Sequence, residues 1–133
     1  YGGWLPNFKA PTVFAEAKLT VHIPRRPYVE SLPGIPTIRP FEALACGIPL
    51  ITAWWNDVEK LFRPREDLLV VRSGKEMTFE IERLMGDDAI RQRLAENGRR
   101  NILERHTCTH RVDGLMAIDA ELCRSTRQRL MAA

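Results

Sequence analysis

The stretch GIPTIRPFEALACGIP, residues 34–49, decides the fold of this chain because it carries the start and stop signals of one short helix. Thr37 is a typical N-cap residue, and Pro40 lies in the first turn, where its missing N–H costs no hydrogen bond. Gly47 can adopt the positive φ that commonly ends a helix. The pattern predicts a helix over residues 38–46.

The start of this predicted helix suits an anion. The N–H groups of Ile38 and Arg39 have no partner inside the helix and lie at the positive end of its dipole, where a phosphate binds naturally. Glu42 shares a helix face with Ile38, so its carboxylate can accept hydrogen bonds from hydroxyls such as those of a ribose. The alternative is structural: Arg39 is then a surface charge, and Glu42 only complements the helix dipole.

The composition is typical of a folded domain. The chain has 133 residues, of which 44% are hydrophobic and 28% are charged, and this balance predicts one globular domain. Because it has neither a long apolar run nor a signal peptide at its start, we expect a cytoplasmic protein without a membrane span. Three cysteines without paired spacing predict neither a zinc site nor a disulfide framework, and Cys46 is expected in the core near a helix end.

The net charge of +3 comes from the last third of the chain. Residues 88–133 carry nine arginines against six acidic side chains, whereas residues 1–87 are balanced. Such a small excess, spread over a long segment, is more typical of a solvated face than of a nucleic-acid-binding surface. We therefore expect no nucleic-acid partner.

Helix and strand signals alternate along the first half of the chain. Their predicted order is helix 11–18, strand 19–23, a proline-rich loop 24–36, helix 38–46, strand 49–53 and strand 68–71. Asn56 and Glu59 form a capping-box-like start for one or two helical turns ending near Phe62. Strands separated by helices predict an α/β fold with a parallel sheet of about three strands and flanking helices. Ligands of such sheets bind beyond the carboxyl ends of the strands.

The second half is predicted to be helical. Ser73 starts one helix with a capping box, and Asp87 or Asp88 caps the next. Gly98 lies in the apolar stripe of that second helix, where it allows close packing against a neighbour. A terminal helix is predicted over 109–131. Its apolar side carries Val112, Leu115, Met116, Leu122 and Cys123.

Further side chains lie near the predicted carboxyl edge of the sheet. His22 can act as a general base if it reaches an acceptor hydroxyl, or it can pack within the sheet. Trp54 and Trp55 can stack on a base or sugar, or be buried against a neighbouring element. His106 and His110 are four residues apart, but without a third ligand they predict no metal site.

Three stretches carry a resemblance to a known family: IPTIRPFEALACGIPLI, VEKLFRPREDLLVV and IERLMGDDAIRQRLAENGRRNILERHTCTHR. Together they resemble the C-terminal domain of group 1 glycosyltransferases, and within them the CgeB-like spore-maturation subgroup, over roughly residues 20–115. The resemblance implies a GT-B architecture, in which two Rossmann-like domains face each other across a cleft. Residues 1–133 would then form the C-terminal part of the nucleotide-sugar-binding domain.

The resemblance also implies roles for single residues. Glu42 corresponds to the second glutamate of the family's E-x7-E signature, which holds the ribose. The first glutamate falls at Gly34, so this chain departs from the pattern of the better-known retaining enzymes. Arg39 matches an arginine that the subgroup has before its Phe-Glu pair, and would supply a cation to the diphosphate. The expected substrate-binding residues are Arg25, Gly34, Thr37, Ile38, Arg39 and Glu42, with Arg26 adding charge; the catalytic residues are unknown.

The implied activity is transfer of a sugar from a nucleoside diphosphate sugar to an unidentified acceptor. Neither a cofactor nor a metal is expected, because the helix dipole and the arginines neutralise the diphosphate leaving group. The alternatives are a nucleotide-sugar epimerase of the same fold and a non-catalytic interaction module. The chain looks like a fragment, expected to be inactive alone, whose first strand would pair with a missing N-terminal part or with a second copy.

Overall fold

The computed structural model of this protein describes residues 3–32 and 34–131; positions 1, 2, 33, 132 and 133 of the predicted domain lie outside the described residues. The elements in chain order are a 3-10 turn (Asn7–Lys9), α1 (Ala10–Glu16), β1 (Thr20–His22), α2 (Arg26–Ser31), α3 (Ile38–Ala45), β2 (Leu50–Ala53), β3 (Leu69–Val71), α4 (Gly74–Gly86), α5 (Asp88–Arg105) and α6 (Cys108–Met131). The predicted α/β class is confirmed. Within the described part of the chain, no helix combines the length and apolarity needed to cross a membrane.

The three strands form one parallel sheet in the order β1-β2-β3. Successive side chains of the central strand, β2, point to opposite sides of the sheet, and both sides are covered by core residues. Leu50 faces a core cluster built with α3 and the end of α5, whereas Ile51 faces a second cluster built with α4. The parallel arrangement brings His22, Ala53 and Val71 to the same carboxyl edge of the sheet.

Helix α3 packs directly on α5, at the position where Gly98 was expected to allow a close approach. A Cβ atom added at Gly98 would lie 2.6 Å from the Leu44 Cδ2 atom and 2.8 Å from the Asp67 carbonyl oxygen. Leu44 is fully buried at this contact. The absence of a side chain at position 98 therefore sets the distance between the two helices.

A buried carboxylate fixes the chain beside this contact. Asp67 is fully buried and accepts hydrogen bonds from the Arg63 backbone N–H at 2.9 Å, from the Arg63 guanidinium at 2.7 Å and from the Asn101 amide. Burial by itself raises the pKa of Asp67, but these hydrogen bonds outweigh it and hold the pKa below its usual range. The network ties the loop before β3 to α5.

Two local predictions of secondary structure were wrong. The predicted loop 24–36 contains α2, because Pro27 lies in the first turn of a helix, where proline is tolerated. The predicted helical turns over 56–62 form an irregular turn instead. There the Asp57 carboxylate accepts hydrogen bonds from the N–H groups of Leu61 and Phe62, and Lys60 has a positive φ of 52° that interrupts a helix.

One expected burial pattern also differs from the structure. Cys46 is exposed rather than buried, because α3 ends at Ala45 and position 46 falls on its outward side. The terminal helix is present as α6, but its apolar side chains are exposed, including Leu115 and Met116. Among the described residues, the periodic spacing of apolar side chains in α6 therefore predicts one face of a helix, but that face is not part of the core.

Gly98→Ala should destabilise the protein by about 1 to 3 kcal/mol, because a new Cβ atom would overlap Leu44 and a backbone oxygen that cannot move freely. Gly114→Ala is the matched control: its added Cβ meets nothing within 4 Å, and alanine is the better residue inside a helix by up to about 1 kcal/mol. Urea unfolding measures both changes. A Gly98→Ala variant as stable as the wild type would contradict this packing.

The unpaired edge of β1 predicts self-association. Among the described residues β1 pairs on one side alone, with β2, and Val21 and Ile23 at this strand are exposed. Such an edge is a template for another strand, and a lysine on it opposes pairing. Light scattering after size-exclusion chromatography should show concentration-dependent association that Val21→Lys reduces. A clean wild-type monomer across the micromolar range would contradict the prediction.

Candidate functional site

A cleft opens at the carboxyl edge of the sheet, between α2, the start of α3 and the loop after β2. Its volume is about 240 Å³, and its walls include Tyr28, Leu32, Trp54 and Trp55. A more open groove of about 610 Å³ adjoins it and shares Tyr28 and Leu32 with it. We call these two spaces the inner cleft and the outer groove. Both lie where ligands of parallel α/β sheets bind.

The structure brings most of the predicted site residues to these two spaces. Arg25, Thr37, Ile38 and Arg39 line the outer groove. Thr37 also lines the inner cleft, together with Gly34. Glu42 lines neither space.

Glu42 lies one turn further along α3 and is paired with Arg39. The Arg39 Nη1 atom donates to the Glu42 Oε2 atom at 2.7 Å, and the two side chains are 54% and 33% exposed. Because the pair is open to solvent, it contributes little to stability and can exchange for other partners at small cost. The predicted cation and the predicted ribose acceptor are therefore partners of each other in this structure.

Thr37 occupies the N-cap position of α3, as predicted, but its side chain does not close the helix start. Its backbone has the expected extended conformation, with φ −73° and ψ 170°, yet its side chain makes no cap hydrogen bond. Its hydroxyl instead lies 2.9 Å from the His22 Nε2 atom. The backbone N–H groups of Ile38 and Arg39 have no partner among the described residues.

The imidazole of His22 is held between two hydroxyls. Its Nδ1 atom lies 3.0 Å from the Thr52 Oγ1 atom, and the Thr52 hydroxyl donates to the Ala53 carbonyl oxygen. This network assigns the proton to Nδ1, so that Nε2 accepts from the Thr37 hydroxyl. Burial lowers the pKa of His22, and the charge of Arg39 lowers it further. His22 is therefore a neutral, packed histidine with both ring nitrogens engaged.

The two tryptophans differ in their surroundings. Trp54 is exposed, and the Arg72 guanidinium lies over its ring at 4.6 Å. Trp55 packs edge-on against Phe62, with ring centroids 6.1 Å apart, and its buried Nε1 has no hydrogen-bond partner among the described residues. Both rings nevertheless line the inner cleft, so each retains a surface that a ligand can contact.

Of the two histidines, His106 directly follows α5 and supports the fold, whereas His110 lies in α6. His106 Nε2 donates to the Leu61 carbonyl oxygen at 3.1 Å, and its ring packs on Phe41 of α3 with centroids 5.4 Å apart. His110 is exposed and contacts Thr107. The described residues include no group of three side chains able to hold a metal ion.

Helix α2 contributes to the site, although the sequence pattern predicted a loop there. Tyr28 and Leu32 line both the inner cleft and the outer groove, but they fell in a predicted loop. Two signals could have revealed the helix. Pro27 suits a first turn, and Arg26 pairs with Glu30 four residues later at 3.1 Å.

Comparisons with known proteins agree with this architecture. A family model described as "Glycosyl transferase-like" matches residues 1–117. No curated protein matches the chain in sequence. Among solved structures, sucrose-phosphate synthase (tll1590) from Thermosynechococcus elongatus is similar, with a TM-score of 0.59 and 23% identity over 95% of this chain. The chain spans 28% of that protein's length, and at this identity the likeness shows the fold.

Acidification should reduce the free energy of unfolding through His22. Its pKa is lower in the folded than in the unfolded protein, so the unfolded state takes up the proton first as the pH falls below about 6.5. The stability is therefore complete above that pH and is lost below it. His106, whose pKa burial also lowers, acts in the same direction.

Urea unfolding at pH 7.5 and at steps down to pH 5 measures this dependence. His22→Gln should flatten the loss in part, and the double variant with His106→Gln should flatten it further. An unchanged pH profile in His22→Gln would show that the His22 imidazole titrates alike in the folded and unfolded states.

Proposed function

Because this chain belongs to the glycosyl transferase-like family, we propose that it is the donor-binding domain of a glycosyltransferase and binds a nucleoside diphosphate sugar at the start of α3. One observation carries the proposal. The N–H groups of Ile38 and Arg39 are without partners among the described residues, and both residues line the outer groove together with Arg25. Unpaired N–H groups, a helix dipole and guanidinium groups together favour a diphosphate.

In this proposal, the diphosphate replaces Glu42 as the hydrogen-bond partner of the Arg39 guanidinium. The Arg39 fork binds phosphate oxygens better than a single carboxylate contact, because it can donate two parallel hydrogen bonds. Glu42 is then free to accept hydrogen bonds from the ribose hydroxyls. The weak exposed pair in the ligand-free protein thus becomes two separate contacts with one ligand.

We further propose the CgeB-like subgroup because Arg39 precedes the Phe-Glu pair, and the backbone at Gly34 is consistent with the absence of the first glutamate. The φ of Gly34 is +89°, and an added Cβ would lie 3.0 Å from the Asn56 carbonyl oxygen, so a glutamate would be strained at this position. The chain therefore lacks the first carboxylate of the E-x7-E signature for a structural reason. Arg39, which precedes Pro40 and the Phe-Glu pair, supplies a positive charge at the start of α3 in place of that carboxylate.

We further propose that the acceptor binds to a second domain facing this one, as a GT-B architecture implies. The leaving diphosphate is neutralised by the start of α3, Arg25 and Arg39, without a metal or a cofactor. On this view the chain alone binds the donor without transferring the sugar. The proposed cellular location, the cytoplasm, is where nucleoside diphosphate sugars would be available to it.

Calorimetry with uridine, guanosine and adenosine diphosphate, and with inorganic pyrophosphate, tests the proposal. Arg39→Ala should weaken binding of the nucleotide and of pyrophosphate alike, by about 1 to 3 kcal/mol, because it removes a charge-assisted contact with phosphate. Glu42→Gln should weaken the nucleotide more than pyrophosphate, because only the nucleotide has a ribose.

Exposed residues on other helices provide the controls. Arg93→Ala on α5 and Glu82→Gln on α4 make the same chemical changes away from the site and should leave binding unaltered. An equal loss of both ligands in Glu42→Gln would remove the ribose role. A wild-type chain that binds none of these nucleotides would instead identify a non-catalytic module.

A further inference from the structure

We propose that His22 is a positioning residue that keeps the start of α3 open to its ligand, by holding the Thr37 hydroxyl away from the first turn of the helix. The inference deepens the proposed function and rests on it for the identity of the ligand. Its structural part, the competition between His22 and α3 for one hydroxyl, concerns the free protein and can be tested without any ligand.

Thr37 has the backbone conformation of an N-cap residue, but its side chain is not directed toward the first turn of α3. Its backbone is in the N-cap conformation, in which a threonine hydroxyl ordinarily accepts a hydrogen bond from the second or third helical N–H. The third helical residue is Pro40, which has no N–H. The N–H of Arg39 is therefore the single donor that a capping Thr37 could engage, and it is one of the two unpartnered N–H groups of residues that line the outer groove.

His22 sets the direction of that hydroxyl, which donates to its ring and makes no hydrogen bond with the first turn of α3. The Thr37 hydroxyl lies 2.9 Å from Nε2, and the opposite ring nitrogen is fixed 3.0 Å from Thr52. Thr52 is fully buried in β2, and its own hydroxyl is anchored on the Ala53 carbonyl oxygen. The imidazole ring cannot turn away from Thr37 without breaking its hydrogen bond with Thr52. The central strand therefore holds the Thr37 hydroxyl in place through His22.

Other helices of the chain show what happens without such a competitor. Ser73 accepts a hydrogen bond from the Glu76 N–H at the start of α4, and Asp87 accepts one from the Ile90 N–H at the start of α5. Each cap occupies an N–H that would otherwise be open. At α3 the competitor is present, and the cap is absent although the capping residue is in place.

Removing the contact between His22 and Thr37 should therefore close half of the anion site. Rotation about one side-chain bond would bring the Thr37 hydroxyl to the Arg39 N–H, leaving the Ile38 N–H alone. The usual strength of a threonine cap corresponds to about a fivefold change in an equilibrium constant, which an anion must overcome to regain that N–H.

Amide hydrogen exchange in the free protein tests the first step. His22→Asn keeps a polar group near Thr52 but is too short to reach Thr37, whereas His22→Gln reaches Thr37 and is the matched control. The Arg39 amide should become about fivefold more protected in His22→Asn and stay as in the wild type in His22→Gln. Equal exchange of Arg39 in all three proteins would overturn the inference.

Binding of inorganic pyrophosphate tests the consequence. His22→Asn should weaken binding about fivefold in the wild-type background and not at all when it is added to Thr37→Val, which has no hydroxyl to cap with. The same loss in both backgrounds would mean that His22 acts on the ligand directly, and would overturn the inference. Thermal unfolding of each variant confirms that it folds; if His22→Asn does not, His22→Phe, which keeps the ring volume, replaces it.

The two measurements separate this inference from the proposed function. If the wild type binds neither pyrophosphate nor a nucleoside diphosphate, the proposed function fails, while the exchange of the Arg39 amide still decides whether His22 keeps Thr37 from capping α3. If pyrophosphate binds but the exchange rates do not differ, the proposed function stands and the role of His22 is wrong.

Discussion

The placement of helix α3 is the constraint on which the rest of the site depends, and two contacts set it. In the middle of the helix, Leu44 packs on Gly98 of α5 at a distance that no side chain at position 98 would allow. At its start, Thr37 is hydrogen-bonded to His22, which is fixed in turn on Thr52 of the central strand. The helix is thus held by the core along its length and by the sheet at its end.

This arrangement leaves polar groups open where a folded protein usually satisfies them. Most helix starts are closed by a side chain, and the cost of an open one is offset here by exposure to solvent and by the hydrogen bond that Thr37 makes elsewhere. Arg39 and Glu42 meanwhile neutralise each other beside the open N–H groups. The charges of Arg39 and Glu42 therefore compensate each other in the ligand-free protein. An anion that binds here would change the hydrogen-bond partners of both side chains and of the open N–H groups.

The lowered pKa of His22 fits the same arrangement. A neutral imidazole can accept a hydrogen bond from Thr37 at one nitrogen while it donates to Thr52 with the other, whereas an imidazolium could only donate. Burial and the neighbouring charge of Arg39 both favour the neutral form. The ionisation state of one histidine is thus linked to the direction of one hydroxyl and to the state of the helix start.

The sequence was sufficient for features that depend on local patterns. The three strands, the bounds of α3 to within a residue, the helix stop at Gly47 and the close packing at Gly98 follow from spacing and from the properties of proline and glycine. The carboxyl edge of a parallel sheet then located the cleft. These features need no knowledge of which distant residues meet.

What the sequence could not predict depends on contacts between distant residues. Thr37 has the signature of a cap, and only the approach of His22, fifteen residues earlier, removes it from that role. The predicted helix start at Asn56 does not form. The Asp57 carboxylate instead accepts hydrogen bonds from the N–H groups of Leu61 and Phe62, which belong to a turn. Cys46 was expected inside because its type is usually buried, whereas it is the exposed residue that follows the last residue of α3.

The central claim is that the backbone at the start of α3 binds the diphosphate of a nucleotide. Titration of the ¹⁵N-labelled protein with nucleoside diphosphates tests it most directly, because the amide signals of single residues report hydrogen bonds to an anion. The account predicts saturable downfield shifts of the Ile38 and Arg39 amides, larger than those of the capped starts of α4 and α5. Saturable binding that leaves the Ile38 and Arg39 amides unmoved would contradict it.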